Sequence, residues 1–465
     1  MISAITQLHE SGGLIRFSQG IPGRLLIWAV AMLLLWWHNA SVLMLAALTL
    51  VMLFPARKRT FLSLAALGII LGFDFSLAAL GSGTPARFNG LALLTNVTMM
   101  ILVLFGVFLL ALNFKSWPML LRRFPVLSLH LLIWILLLLS SFPMLGFLIQ
   151  LDFVAWRLSY LVLGASRGKI EGTTFRDHLF YLVPVFGGDN TPYGKGLDFL
   201  TRHEAADPGA FAKSQLAGIK LLILAVLWTY VLEFMNAVFF GMRDYWLTEW
   251  TLNLPTITEM VLDESSRSWY LGWSVIYLEL VRSVLTLAIM GHVIVGCLRL
   301  LGFNVFRNTY KPLLSESVVE FWNRYYFYFK ELLVEFFFYP TYLRARSVGP
   351  RTRMLLAVFA AAGLGNLYFH ILALPEVALN AGFSGFVDYW SARAVYCVLL
   401  ALGIWVSMLR QQKSRQAGVS PGGLARIRRI AGVWTFYALI HVWSIRIDGH
   451  FLLERLRFTL SLLGL

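Results

Sequence analysis

Five histidines, His38, His130, His292, His370 and His441, fall in or beside long apolar runs. An ionisable side chain is costly there, which makes each a candidate for function. A neutral imidazole in such a place can take a proton from a hydroxyl that attacks a carbonyl, or it can simply satisfy a buried polar neighbour. Other chemistries lack their residues. The chain has no HExxH, no CxxC pair and no His/carboxylate spacing suited to a metal. Gly363-Leu364-Gly365 follows no strand and lies within a helical apolar pattern, so it is not a phosphate-binding loop, and nucleotide hydrolysis is set aside. The two cysteines, Cys297 and Cys397, both sit in apolar stretches and point to neither a disulfide framework nor a metal site.

The elements that would position these groups are membrane helices. The chain is 58% hydrophobic and 14% charged over 465 residues, with a mean hydropathy of +0.72. The apolar residues come in blocks such as Leu25 to Trp37, Ser41 to Phe54, Leu131 to Leu139 and Leu221 to Val231. Blocks of about 20 residues match the hydrocarbon core of a bilayer. The pattern predicts an all-α, polytopic transmembrane bundle of roughly ten to twelve spans with re-entrant or interfacial helices. Spans are expected near 23–37, 39–54, 61–80, 90–113, two within 124–164, 216–240, 269–301, 354–374, 390–409, 430–446 and 450–465. Leu179 to Phe186 is apolar but too short to cross, and reads as a re-entrant or interfacial segment. The first 22 residues are weakly amphipathic and lack signal-peptide features, so the span from Leu25 is expected to be uncleaved. No repeat or soluble domain is evident. The chain reads as one membrane unit: N-terminal spans over 1–150, a core over 150–380 and C-terminal spans over 381–465.

Net charge is +15, from 39 Lys+Arg against 24 Asp+Glu. The cations cluster at the ends of apolar blocks: Arg57-Lys58-Arg59, Arg122 and Arg123, Arg344 to Arg353, and Arg410 to Arg429. That placement signals orientation and contact with membrane lipids rather than with nucleic acid. These clusters are expected on the cytoplasmic side, and the acidic loop with Asp244, Glu249, Glu259, Asp263 and Glu264 outside.

One segment, 302–344, is far richer in aromatics than the chain average of 15% and carries Glu320, Arg324, Lys330, Glu331 and Glu335. Such a charge load suits an interfacial helix or the wall of a polar tunnel. Its Gly302-Phe303-Asn304-Val305, Asn308, Pro312-Leu313, Ser317 and Glu320-Phe321-Trp322-Asn323-Arg324 resemble the signature of the membrane-bound O-acyltransferase (MBOAT) family. The likeness is to the bacterial branch with alginate O-acetyltransferase and the D-alanine transferase of teichoic acids. Phe338-Tyr339-Pro340 and Gly365-Asn366-Leu367-Tyr368-Phe369-His370 continue it. Upstream, Arg157-Leu158-Ser159-Tyr160 with Arg167-Gly168-Lys169, then Leu179 to Gly188, resemble two further family segments. Tyr326 stands where the family usually has His, Asn or Asp, and Gly187-Gly188-Asp189 replaces its Gly-Pro.

The resemblance implies transfer of an acyl group, such as acetyl, from a thioester to a hydroxyl of an envelope glycan or lipid-linked acceptor, in a bacterial inner membrane. His370 matches the family's histidine and would be the general base; Tyr326 would orient the donor or bind the oxyanion. Trp322, Asn323, Arg324 and Asn366 would line the substrate site. Arg344, Arg346, Arg351 and Arg353 suit the phosphates of acyl-CoA or of an acyl carrier protein's prosthetic arm. No bound cofactor or metal is expected. A periplasmic partner protein fits the family pattern. The alternative is a non-enzymatic channel, transporter or assembly subunit that keeps the fold.

Overall fold

The computed structural model describes residues 7–82, 90–139, 142–187, 195–242, 250–263, 268–380, 382–417, 423–445, 447 and 451–464. Gly188 and Asp189, with Asp244, Glu249 and Glu264 of the expected acidic loop, lie outside these residues. Among the described residues all regular structure is helical, apart from one isolated antiparallel bridge between Glu204 and Phe303.

In chain order the main helices are α1 Gly12–Gln19, α2 Ile21–Trp37, α3 Val42–Leu53, α4 Lys58–Ser82, α5 Gly90–Leu112, α6 Pro125–Leu139 and α7 Phe142–Ser166. Next come α8 Phe175–Leu182, α9 Leu197–Arg202, α10 Pro208–Phe240, α11 Ile257–Leu262, α12 Trp269–Leu300 and α13 Val318–Tyr325. The helix α14 runs over 327–344 and α15 over Pro350–Leu372, each with a π-helical stretch inside it, Val334–Phe338 and Phe359–Gly365. The last are α16 Pro375–Asn380, α17 Gly382–Ala417, α18 Gly423–Ser444 and α19 Leu452–Ser461. Contacts gather these into two compact units, residues 1–224 with 293–306, and residues 225–292 with 307–465.

Among the described residues four helices, α10, α12, α15 and α17 up to Gln412, are long and apolar enough to cross a bilayer, and α1 with α2 makes a fifth if the bent pair is one span. Val42–Leu53, Val97–Leu112 and Pro125–Leu139 are shorter apolar helices. Leu33 and Trp36 on α2, Leu102 and Leu110 on α5, and Leu138 and Leu139 on α6 are all exposed on outward faces. A helix that is apolar both inside and outside is stable only where its surroundings are apolar too. These long apolar helices are compatible with a multi-pass membrane protein. The segment 450–465, expected to span, is instead the ten-residue α19. Ten residues reach about 15 Å, half the hydrocarbon thickness. Glu454, Arg455 and Arg457 explain why it stops short.

In the first unit, α1 meets α2 at 99°. Ser11 caps α1 by accepting from the Leu14 N–H at 3.4 Å, and the turn lies at Gly20-Ile21-Pro22. A Cβ on Gly23 would stand 2.1 Å from the Phe17 carbonyl oxygen, so only glycine permits so sharp a corner. An amphipathic α1 turned across the first apolar helix has the form of an interfacial helix.

The short apolar segment at 179–186 is wholly buried. Its helix α8 opens with a capping box between Thr174 and Asp177. Nearby, the Lys58 ammonium lies 2.6 Å from a Glu204 carboxylate oxygen, donates to the Leu301 carbonyl at 3.2 Å, and sits 4.3 Å over the Phe303 ring. Arg59 bonds the other Glu204 oxygen at 3.3 Å. Two of the three cations read as an orientation signal are therefore also an internal tie.

In the second unit, α13 and α14 are framed by the residues that resemble the family signature. Asn308 Oδ1 accepts from the Tyr328 N–H at 3.2 Å, and the Asn308 carbonyl accepts from the Phe327 N–H at 3.0 Å. The Thr309 hydroxyl donates to the Tyr325 carbonyl at 2.9 Å. Ser317 caps α13 by accepting from the Glu320 N–H at 3.1 Å, while a Glu320 oxygen accepts from the Glu316 N–H at 2.7 Å. From α18, Trp434 Nε1 donates to the Leu313 carbonyl and Tyr437 Oη to the Val318 carbonyl. The motif residues thus hold two short helices around a break at Tyr326.

Candidate active site around His370

The second unit contains a cavity of about 110 Å³ lined by His370, Asp388, Trp390, Ser391, Arg393 and Arg455, with Trp443 and Phe451 closing its apolar side. His370 comes from the last turn of α15, Asp388 to Arg393 from the first third of α17, Trp443 from the end of α18 and Arg455 from α19. Three of these helices carry basic residues of the sequence's arginine clusters at the opposite end. Arg351 precedes His370 by 19 residues of α15, about 28 Å along the axis. Arg410 follows Arg393 by 17 residues of α17, and Arg429 precedes Trp443 by 14 of α18, again about 20–25 Å. The cavity therefore sits at the helix ends remote from the basic clusters.

The intramembrane histidines separate clearly. His130 bonds Ser159 Oγ at 2.8 Å. His441 lies between Ser283 Oγ at 3.1 Å and Ser444 Oγ at 3.0 Å, and His292 Nδ1 contacts the Ala288 carbonyl of its own helix. These three are satisfied polar groups of helix packing. His38 ends α2, with its Nε2 buried and unbonded. His370 lines the cavity and makes no hydrogen bond to a described residue. A free ring nitrogen next to open volume is what a proton acceptor for a bound substrate requires.

The other expected site residues distribute unevenly. The Phe329 ring gathers Trp322 at 6.0 Å, Tyr326 at 5.3 Å, Phe369 at 4.7 Å and His370 at 6.3 Å between ring centres. Residues more than 40 apart in sequence thus meet on one aromatic. Tyr326 and Trp322 nonetheless stand behind Phe329, and neither is among the residues lining the cavity. Asn323 is exposed. Arg324 is held by Glu320 at 2.6 Å on its own helix. Asn366 is 1% exposed, and neither atom of its amide has a partner among the described residues. It stands one turn before His370, just after the π-helical stretch, where Gly365 lets the Phe337 ring approach to 2.7 Å of the position a Cβ would take. Arg344, Arg346 and Arg351 are exposed at the far end of α15, and Arg353 stacks 3.7 Å over the Tyr342 ring. The structure does not bring these arginines near His370.

Arg393, Arg455, Asp388 and Trp390 have no place in the sequence argument. Arg393 was nonetheless visible there, as a cation inside the apolar run 390–409. Arg455 donates to the Val442 carbonyl and, at 2.9 Å, to the Ile445 carbonyl, closing the C-terminal end of α18. No protein-family model matches the chain, and no curated protein matches it.

Proposed function

We propose that this chain is an MBOAT-like acyltransferase of the bacterial inner membrane, crossing it roughly ten to twelve times once α4, α7 and α18 are counted with the shorter apolar helices. The observation that carries the reading is His370, unbonded at the wall of a polar cavity within a membrane helix. An acceptor hydroxyl in that cavity would lose its proton to the imidazole as its oxygen attacks the thioester carbonyl. The tetrahedral oxyanion then collapses, the C–S bond breaks, and the imidazolium returns the proton to the departing thiolate, leaving an ester and a free thiol.

With the basic clusters inside by the positive-inside rule, the cavity opens toward the external half of the membrane. That suits an envelope glycan or a lipid-linked acceptor. The donor is acyl-CoA or an acyl carrier protein, its phosphates at Arg344, Arg346, Arg351 and Arg353. Those arginines lie about 28 Å from His370 along α15, so the donor's extended arm must thread between helices to deliver the thioester. Tyr326 supports the site through Phe329 rather than by touching substrate.

The test is H370A against wild type, read as acyl content of envelope glycans and lipids and as thioester consumption by the purified protein. A positioned base contributes on the order of 10²–10⁴ in rate, so H370A should fall by at least a hundredfold while remaining folded. Unchanged acylation, or a wild type inert toward thioesters, would leave a channel, transporter or assembly subunit as the better reading.

A further inference from the structure

The cavity beside His370 holds a cation that the described residues do not neutralise. Arg393 lies eleven residues into α17, about 16 Å along a helix otherwise apolar enough to span. A charged guanidinium at such depth is stable only with hydrogen bonds and a counter-charge. Arg393 makes no hydrogen bond or ion pair among the described residues; its one contact of note is the Tyr396 ring, 5.8 Å from the guanidinium carbon. The second lining cation, Arg455, spends its donors on helix carbonyls and has no carboxylate partner. Against these two stands one lining carboxylate, Asp388, which accepts from Ser384 Oγ at 3.3 Å on its own helix. With His370 neutral, the described lining therefore carries one positive charge in excess. Trp390, also in the lining, has its indole N–H buried without an acceptor. Forked guanidinium donors and excess positive charge together define a receptor for an oxyanion. The volume of about 110 Å³ has room for one such group and accompanying waters.

We propose that this cavity binds a phosphate or carboxylate group through Arg393, so that the acceptor presented to His370 is anionic, its oxyanion anchored in the same cavity as the hydroxyl that reacts. The consequence for substrate class rests on the acyl-transfer reading; the binding site itself does not. The oxyanion can belong to an anionic lipid headgroup or to a soluble acceptor, and the chemistry at Arg393 is the same.

The experiment uses the full-length protein purified in neutral detergent and, separately, in nanodiscs. Unfolding midpoints are recorded with inorganic phosphate against chloride at equal ionic strength, and in phosphatidylcholine discs with and without phosphatidylglycerol. Wild type should show a saturable rise with phosphate or with the anionic lipid. R393Q should lose it, and R393K, which keeps the charge without the fork, should bind at least tenfold more weakly and supplies the comparison if R393Q does not fold. A response to phosphate identifies a soluble oxyanion, and a response to phosphatidylglycerol alone identifies a headgroup; either supports the site. No saturable response in wild type beyond chloride, or equal responses from wild type and the folded Arg393 variant, overturns it. Thioester turnover is measured on the same samples. Anion binding without turnover would sink the transfer reading alone, and turnover without Arg393-dependent binding would sink this one alone.

Discussion

Replacing Glu204 by Gln tests whether the tie between Lys58 and Glu204 holds the first unit together. The Lys58 side chain is 7% exposed and Glu204 27%. At their 2.6 Å separation and an effective dielectric near 20, the gross attraction is about 6 kcal/mol. Most of that is offset by the cost of taking both charges from water. Truncating one partner of a fully buried pair costs about 3–5 kcal/mol, and of an exposed pair about 0–1 kcal/mol. With one partner buried and the other partly open, E204Q should cost about 2–3 kcal/mol. The loss reflects a Lys58 ammonium left with only the Leu301 carbonyl and the Phe303 ring. The assay is unfolding in mixed detergent–SDS micelles, run as a double-mutant cycle with K58M. In the K58M background E204Q should cost less than half as much, because the stranded charge is gone. A cost below about 0.5 kcal/mol, or the same cost in both backgrounds, would refute the reasoning.

Acid should destabilise the same region. Burial raises the Glu204 carboxyl, but the hydrogen bond and charge of Lys58, with those of Arg59, outweigh it and hold the group below its ordinary 4.5. Lys169 likewise lowers Asp198. Stability from these carboxylates is present above their unfolded values and lost as pH falls through the depressed folded ones; unfolding midpoints between pH 6 and pH 3 check this, and E204Q should flatten the fall. Gly365→Ala should cost about 1–3 kcal/mol by pushing a methyl into the Phe337 ring, with F337L restoring much of it in the same SDS assay. Gly302→Ala should be at least as damaging, because its φ of +85° and the Phe211 ring 2.6 Å from a Cβ both exclude a side chain; cell-membrane yield of folded protein reads it.

Much of the helical layout could be read from apolar runs, because a chain in lipid must satisfy its backbone within each segment. The blocks ending at Trp37 and Leu139 became helices with nearly those bounds. The capping boxes of Thr174 with Asp177 and of Thr256 with Glu259, each three residues apart, were not read from the sequence. The cost of a titratable group in an apolar run marked five histidines alike, the resemblance singled out His370, and the structure adds an open volume beside that residue. The same rule applied to arginine would have found Arg393. Arg324, placed at the site by the resemblance, forms an ion pair with Glu320 one turn back on the same helix. Arg455 was hidden for another reason. Its partners are the Val442 and Ile445 carbonyls of a different helix, and backbone acceptors leave no trace in residue types.

The π-helical stretch at Phe359–Gly365 gives α15 an unusual tolerance. A π turn holds one residue more than an α turn over nearly the same course. Deleting a single residue there can be absorbed by relaxation to ordinary α geometry, with both flanks keeping their bearings. A deletion among Leu367 to Phe369 has no such slack, and would swing the imidazole of His370 about 100° around the helix axis, out of its chamber. The helix thus carries its own spare length just ahead of the residue whose bearing matters most.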